Sequence, residues 1–259
     1  MVYFCVTAKM TTFNFQTFLF VKQVIYCFLL ICLLPVASWA QETDEDDEYQ
    51  TEFLYGINFN TNGGLIGGIV FRYSTVINSK MKQTFGLEIV NVKHPQEIKA
   101  QSSPSGNSFV LGKSNYLFVL RPQYGRELLI FRKAQEEGVR ISAIGAIGPS
   151  FGIIKPYFIV FQDARGQVIE QYDPERHRNT NDILGSARLT RFDGTQLGLG
   201  INAKAGLSFE IGGFRSSATG FEVGALFEAF TRQIVIMPLT ENRSVFTSVY
   251  LNVFFKNKR

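Results

Sequence analysis

Eight charged residues fall where a chain that alternates apolar and polar positions would put its polar ones. They are Arg72, Glu88, Arg121, Arg140, Lys204, Glu210, Glu222 and Glu228, four basic and four acidic. A charge is tolerated away from water only when it is paired and hydrogen-bonded, so a balanced set suits ion pairs packed inside a closed polar space. The same residue types would serve a gated ion path or a catalytic carboxylate, but the balance of signs favours a structural network. Two histidines, His94 and His177, are the other groups suited to chemistry. Neither stands at a metal-ligand spacing from another His or Cys, so no metal site is expected, and no cofactor site either. His94 with a loop serine such as Ser102 has the makings of a hydrolytic pair. His177 lies among Glu175, Arg176 and Arg178 and reads as a solvated loop residue. No catalytic residue is assigned. The glycine run Gly63–Gly68 leads into no helical pattern, so it reads as a turn with close strand packing rather than a phosphate loop. Asn242-Arg243-Ser244 matches a glycosylation pattern, which carries no weight in an exported chain of bacterial character.

These residues need elements to hold them, and residues 196–211 show which kind. Leu197, Leu199, Ile201, Ala203, Ala205, Leu207, Phe209 and Ile211 alternate with Gln196, Gly198, Gly200, Asn202, Lys204, Gly206, Ser208 and Glu210. Strict period-2 alternation over this length specifies one strand with an apolar and a polar face. At roughly 3.3 Å per residue it is long enough to cross a bilayer when tilted. Similar runs recur at 53–60, 64–75, 83–92, 114–129, 139–154, 219–234 and 244–255. Asn62-Gly63 signals a tight turn after the first. Pro122 and Pro149 predict a bulge or kink in their strands. Tyr157–Phe161 predicts an extension of the preceding hairpin, and Arg232 is expected to face inward with Glu222 and Glu228. Phe53, Tyr73, Tyr124, Phe209 and Phe230 stand where interfacial aromatics would sit.

Eight strands is the even count that an antiparallel up-and-down transmembrane β-barrel requires. Connections after the second, fourth and sixth strands are short and those after the third and fifth, at about 93–113 and 155–194, are long, as in barrels with short periplasmic turns and long external loops, the short first external turn excepted. The fold class expected is therefore all-β, an eight-stranded antiparallel barrel over 53–255. Its interior is just wide enough for side chains to fill.

Lys9 and Lys22 precede an apolar run, Val24–Val36, that ends in Ala37-Ser38-Trp39-Ala40. This is the pattern of a secretory signal peptide over 1–40, cleaved after about Ala40, with translation starting at Met1 or Met10. All three cysteines lie within it, so the mature chain has no disulfide, thiolate metal site or cysteine nucleophile. Removing the two lysines lowers the formal charge from +4 to +2, too little to argue for nucleic acid. Residues 41–52 follow as an acidic periplasmic tail, with Glu42, Asp44, Glu45, Asp46, Asp47 and Glu48.

The alternation, the strand count and the aromatic-ended last strand (Tyr250, Phe254, Phe255) resemble the small bacterial outer-membrane barrels of the OmpX and OmpA transmembrane-domain type. The likeness covers Phe53 to Phe255. Size, acidic mature N-terminus and loop plan also look like the PorT-type barrels associated with type IX secretion. The resemblance implies an outer-membrane location, contact with outer-membrane lipid, and recognition of strand 244–255 by the barrel-insertion machinery. Lys256-Asn257-Lys258-Arg259 follow the terminal aromatic. The function expected is structural or interactive, exerted through the external loops of a barrel plugged by side chains, with envelope proteins met through loops or tail. The alternatives are an accessory part of a secretion machinery and a lipid-modifying enzyme.

Overall fold

The computed structural model describes residues 51–131, 139–164, 166–177, 179–187, 193–211 and 217–258. The expected signal peptide and the acidic stretch up to residue 50 lie outside the described residues. Among the described residues thirteen strands follow in chain order: β1 (Thr51–Asn60), β2 (Gly64–Asn78), β3 (Met81–Val92), β4 (Ile98–Gln101), β5 (Ser108–Leu111), β6 (Asn115–Phe131), β7 (Val139–Pro156), β8 (Phe158–Asp163), β9 (Gly166–Gln171), β10 (Ile183–Ser186), β11 (Gln196–Ile211), β12 (Ser217–Ile234) and β13 (Arg243–Lys258). Eight close into one antiparallel barrel in the order β1-β13-β12-β11-β7-β6-β3-β2, with β2 returning to β1. Strand β11 has the bounds its alternation specifies. The barrel itself runs from Thr51 to Lys258, longer than 53–255 at both ends. Glu52, placed with the acidic tail above, is instead a buried residue of β1.

Alternation sorts the side chains as period 2 requires. Phe85 (52 % exposed), Ile147 (60 %) and Ile201 (62 %) point outward, whereas Glu88, Glu222 and Glu228 are at most 1 % exposed. Outward aromatics form cross-strand pairs, with Tyr55 stacked on Phe255 and Phe209 on Phe221. Phe53, Tyr73 and Tyr124 face outward as expected, but Phe230 is buried inside the barrel. Arg232 is exposed and donates to the Leu197 carbonyl at 3.0 Å rather than facing inward. The β12–β13 register slips between Ala229 and Ile234, which ends the simple alternation there.

Neither proline produces the expected bulge. The β6–β7 register is the same on both sides, Leu120 facing Phe151 and Tyr124 facing Ile147, so Pro122 and Pro149 oppose each other. Two residues without an N–H then share one lost rung instead of spoiling two. A Cβ on Gly148 would run into the Pro122 carbonyl, so the glycine permits this close approach. Asn202 satisfies the adjacent carbonyls, donating through Nδ2 to Gly148 at 3.1 Å and Pro149 at 2.9 Å. The first turn also differs from the Asn-Gly expectation. The left-handed residue is Gly64 (φ 80°), and a register shift between Asn58 and Asn60 gives a bulged hairpin.

Both termini of the described barrel lie at one end, hereafter the terminal end. The opposite, loop end carries the connections 92–115 and 156–196. These loops fold. β4 and β5 form a hairpin, and β10-β8-β9 form a three-stranded sheet. The Tyr157 N–H donates to the Ser114 carbonyl at 2.8 Å and so continues the β6–β7 ladder by one residue, but β8 bonds to β9 and β10 within the loop, so the rest of Tyr157–Phe161 does not extend the barrel hairpin.

Candidate functional site

The lumen is stratified. At the loop end the inward residues are apolar: Val90, Val92, Leu117, Val119, Ile154, Phe230 and Ile234 pack into one cluster with Ile236 and Met237 of the β12–β13 loop. Asn242 clasps that loop. Its Oδ1 accepts from the Ile236 N–H at 2.9 Å and its Nδ2 donates to the Met237 carbonyl at 2.9 Å. The apparent glycosylation pattern is thus a loop-shaping asparagine. This apolar layer departs from the wholly polar interior expected above. The signal was present in the uninterrupted apolar run Tyr116–Leu120, which puts apolar side chains on both faces of its strand, with Leu117 and Val119 buried inward.

Below it lies a central ionic layer. Arg121 holds Glu228 in a two-pronged pair, Nε to Oε1 at 2.8 Å and Nη2 to Oε2 at 2.7 Å. Ser150 donates to the same carboxylate at 2.6 Å. Lys204 bonds Glu88 at 2.6 Å and Glu222 at 3.3 Å, and Arg121 stands 3.7 Å from Glu88. Glu222 is the hub, since it also takes Arg72 at 2.6 Å and the Tyr250 hydroxyl at 2.9 Å. Neutral groups complete the layer. Asn58 donates to Asn252 at 2.6 Å, and Gln123 to Asn202 at 2.7 Å.

A second ionic layer occupies the terminal end. Glu52 bonds Lys82 at 2.6 Å and lies 3.3 Å from Lys256, which also binds Glu210. Arg140 faces Glu210 directly across β7 and β11. All eight charged residues singled out above are buried in the lumen. Glu52, Lys82, Glu127 and Lys256 join them and were missed, bringing the set to six acids and six bases. Their parity was available: Lys82 is in step with Glu88, Glu127 with Arg121, and Lys256 with Asn252.

Above the apolar layer, the two long loops build a cap with its own core of Phe109, Tyr157, Ile159, Tyr172 and Ile183. The hairpin tip is stitched to β10, because Ser105 and Asn107 both donate to the Leu184 carbonyl. His177 is 2 % exposed, so the solvated reading does not hold. Its ring stacks on Tyr172 and meets Phe161 edge-on, while Nε2 reaches Glu170 at 2.7 Å. Phe161 of β8 covers it together with the nearer Tyr172 and Glu170. Both His94 nitrogens are engaged, Nδ1 by the Gln96 N–H and Nε2 by the Glu241 carbonyl, and Ser102 is buried in the hairpin tip. The structure does not bring these two residues together as a hydrolytic pair. Burial pushes the Lys113 ammonium below its ordinary value, although Glu97 bonds it at 2.8 Å, and burial raises the Tyr157 phenol. Among the described residues, no group of three or more His, Cys, Asp or Glu is placed to hold a metal ion.

No family model and no curated protein matches the chain. Among solved structures it is similar to Neisserial surface protein A, at 9 % identity and a TM-score of 0.37 over 81 % of this chain and 96 % of that one. It is also similar to Ail, the attachment invasion locus protein of Yersinia pestis, at 10 % identity and a TM-score of 0.35 over the same shares. A complex of Ail with the heparin analogue sucrose octasulfate gives 11 % and 0.36, again over 81 % and 96 %.

Proposed function

We propose that the chain is an outer-membrane barrel whose lumen is filled by its own side chains and whose loop cap is its working surface. The observation that carries this is the inversion of the usual layout: large apolar side chains cover the outside of the barrel, and twelve charges lie within. Hydrocarbon can solvate that outer face, and a closed barrel leaves no backbone edge unpaired in it. The termini then lie on the periplasmic side and the cap outside. The apolar layer and two ionic layers obstruct the bore, so the barrel carries no solute. A preorganised cap leaves binding as its role, with an envelope or surface protein as the partner; the acidic residues 42–48 offer a second contact on the periplasmic side.

Membrane fractionation tests the location, combined with gel mobility before and after boiling and protease treatment of whole cells. The expected result is an outer-membrane protein with a heat-dependent shift and cleavage confined to 156–196. A soluble periplasmic protein without a shift overturns the reading. Planar-bilayer recording tests the filled bore, where steady single-channel conductance would refute it. Replacing 93–113 and 155–194 by short turns tests the cap: a barrel that still assembles and keeps every binding partner leaves the cap without a role.

A further inference from the structure

We infer that a cluster of ordered water molecules is bound inside the barrel between the two ionic layers, held by Glu127, Arg72 and Lys256. Glu127 is 2 % exposed and neither of its carboxylate oxygens has a hydrogen-bond partner. Its ion-pair contact is Lys256 Nζ at 3.9 Å from Oε1, beyond the length of a charged hydrogen bond. Arg72 Nη2 holds Glu222, yet Nη1 has no hydrogen-bond partner. Buried ionised groups are almost always hydrogen-bonded, and where protein atoms do not serve, water does.

The surroundings suit water. Ser74 faces Thr84 across β2 and β3, and Ser142 faces Ser208 across β7 and β11; all four are buried. Gly86 lies directly across from Arg72, and a Cβ there would reach ordinary van der Waals contact with Gln123 Oε1 at 3.6 Å, so the glycine leaves a methyl-sized gap beside that polar group. A polar space with several donors and acceptors meets the need of a buried water for two to four partners.

Charge decides between water and an ion. Among the described residues, the six acids and six bases buried in the lumen balance, and Lys258, 3.9 Å from Glu210 at the terminal end, adds one further base. A cation beside Glu127 would lie against Lys82, which faces it across β3 and β6, and Lys256; an anion would meet Glu127 itself and Glu52. A neutral ligand meets neither repulsion. The apolar layer seals the loop end, so these waters exchange through the terminal end.

The test is heteronuclear NMR of the full-length protein in detergent micelles, reading cross-relaxation from water to backbone amides. Cross-peaks are expected at Thr84, Gly86, Gly125 and Glu127, and not at Val119 or Ile154 of the apolar layer. Exchange through hydroxyl protons would mimic them, so the peaks at Gly86 and Glu127 must survive in a Ser74→Ala, Thr84→Val double variant. Glu127→Leu should abolish them and Glu127→Gln should keep them. Absent peaks in the wild type, or peaks that vanish with the two hydroxyls, overturn the inference.

Discussion

At the loop end of the lumen, Leu117, Val119, Ile154 and Phe230 meet by dispersion and exclusion of water alone. At the terminal end and centre, twelve charges lie buried, most of them joined through directed bonds. Each apolar side chain has many interchangeable neighbours, so a loss there is local and graded with the volume removed. The ionic layers instead share partners: Glu222 serves Arg72, Lys204 and Tyr250 at once. Removing one member strands several others away from water. One half of the bore therefore tolerates piecemeal change and the other fails as a unit.

Glu222→Ala should break the comparison open most widely. It strands Arg72 and weakens Lys204, and a loss of about 3–5 kcal/mol is expected from leaving a buried charge unpaired. Urea unfolding in lipid vesicles, followed by gel mobility, would read it. Combining Arg72→Met with Glu222→Leu should cost less than the sum of the two single changes, by at least about 1 kcal/mol of coupling. Strict additivity would show that the ionic layer is not a unit. Ile154→Val in the apolar layer should cost about 1 kcal/mol and add to other apolar changes at a distance. Tyr157→Phe removes the hydroxyl that accepts the Val110 N–H at 2.9 Å. About 1 kcal/mol of cap stability should go, seen as faster protease cleavage in 156–196 with barrel unfolding unchanged.

The smallest effect expected is one of pH on the cap. Lys113 is held below its ordinary 10.5, so the folded cap sheds this proton before the unfolded loop does, and protection should rise as pH approaches 10. Tyr157 is raised above 10.0, so past that point the unfolded loop ionises first and protection should fall. Protease cleavage rates across pH 8–11 would show a minimum; a flat profile in a Lys113→Met, Tyr157→Phe double variant would assign it.

The barrel was legible because its strands are long and single-mindedly alternating, β11 above all, and parity alone placed eight lumen charges. The four missed ones sit near strand ends, where the alternation merges with turns and tails. Glu52 stood beside an acidic run, and Lys256 after the aromatic taken to close the last strand. The loop strands are four to six residues long, too short for a period to declare itself. The burial of His177 depends on Phe161, sixteen positions away, and no local pattern carries that. Pro122 and Pro149 each look disruptive alone; only the register between β6 and β7 reveals that they are spent on the same rung.

The seam between β1 and β13 joins the two ends of the described chain, and it is drawn with Asn58 on Asn252 and Glu52 beside Lys256. Until that seam forms, an open sheet presents Lys256 without Glu52. Closure thus acts as a checkpoint on assembly: a barrel lacking its first strand leaves Lys82 without the carboxylate that bonds it at 2.6 Å and Lys256 leaning on Glu210, and the incomplete product is marked by its own chemistry.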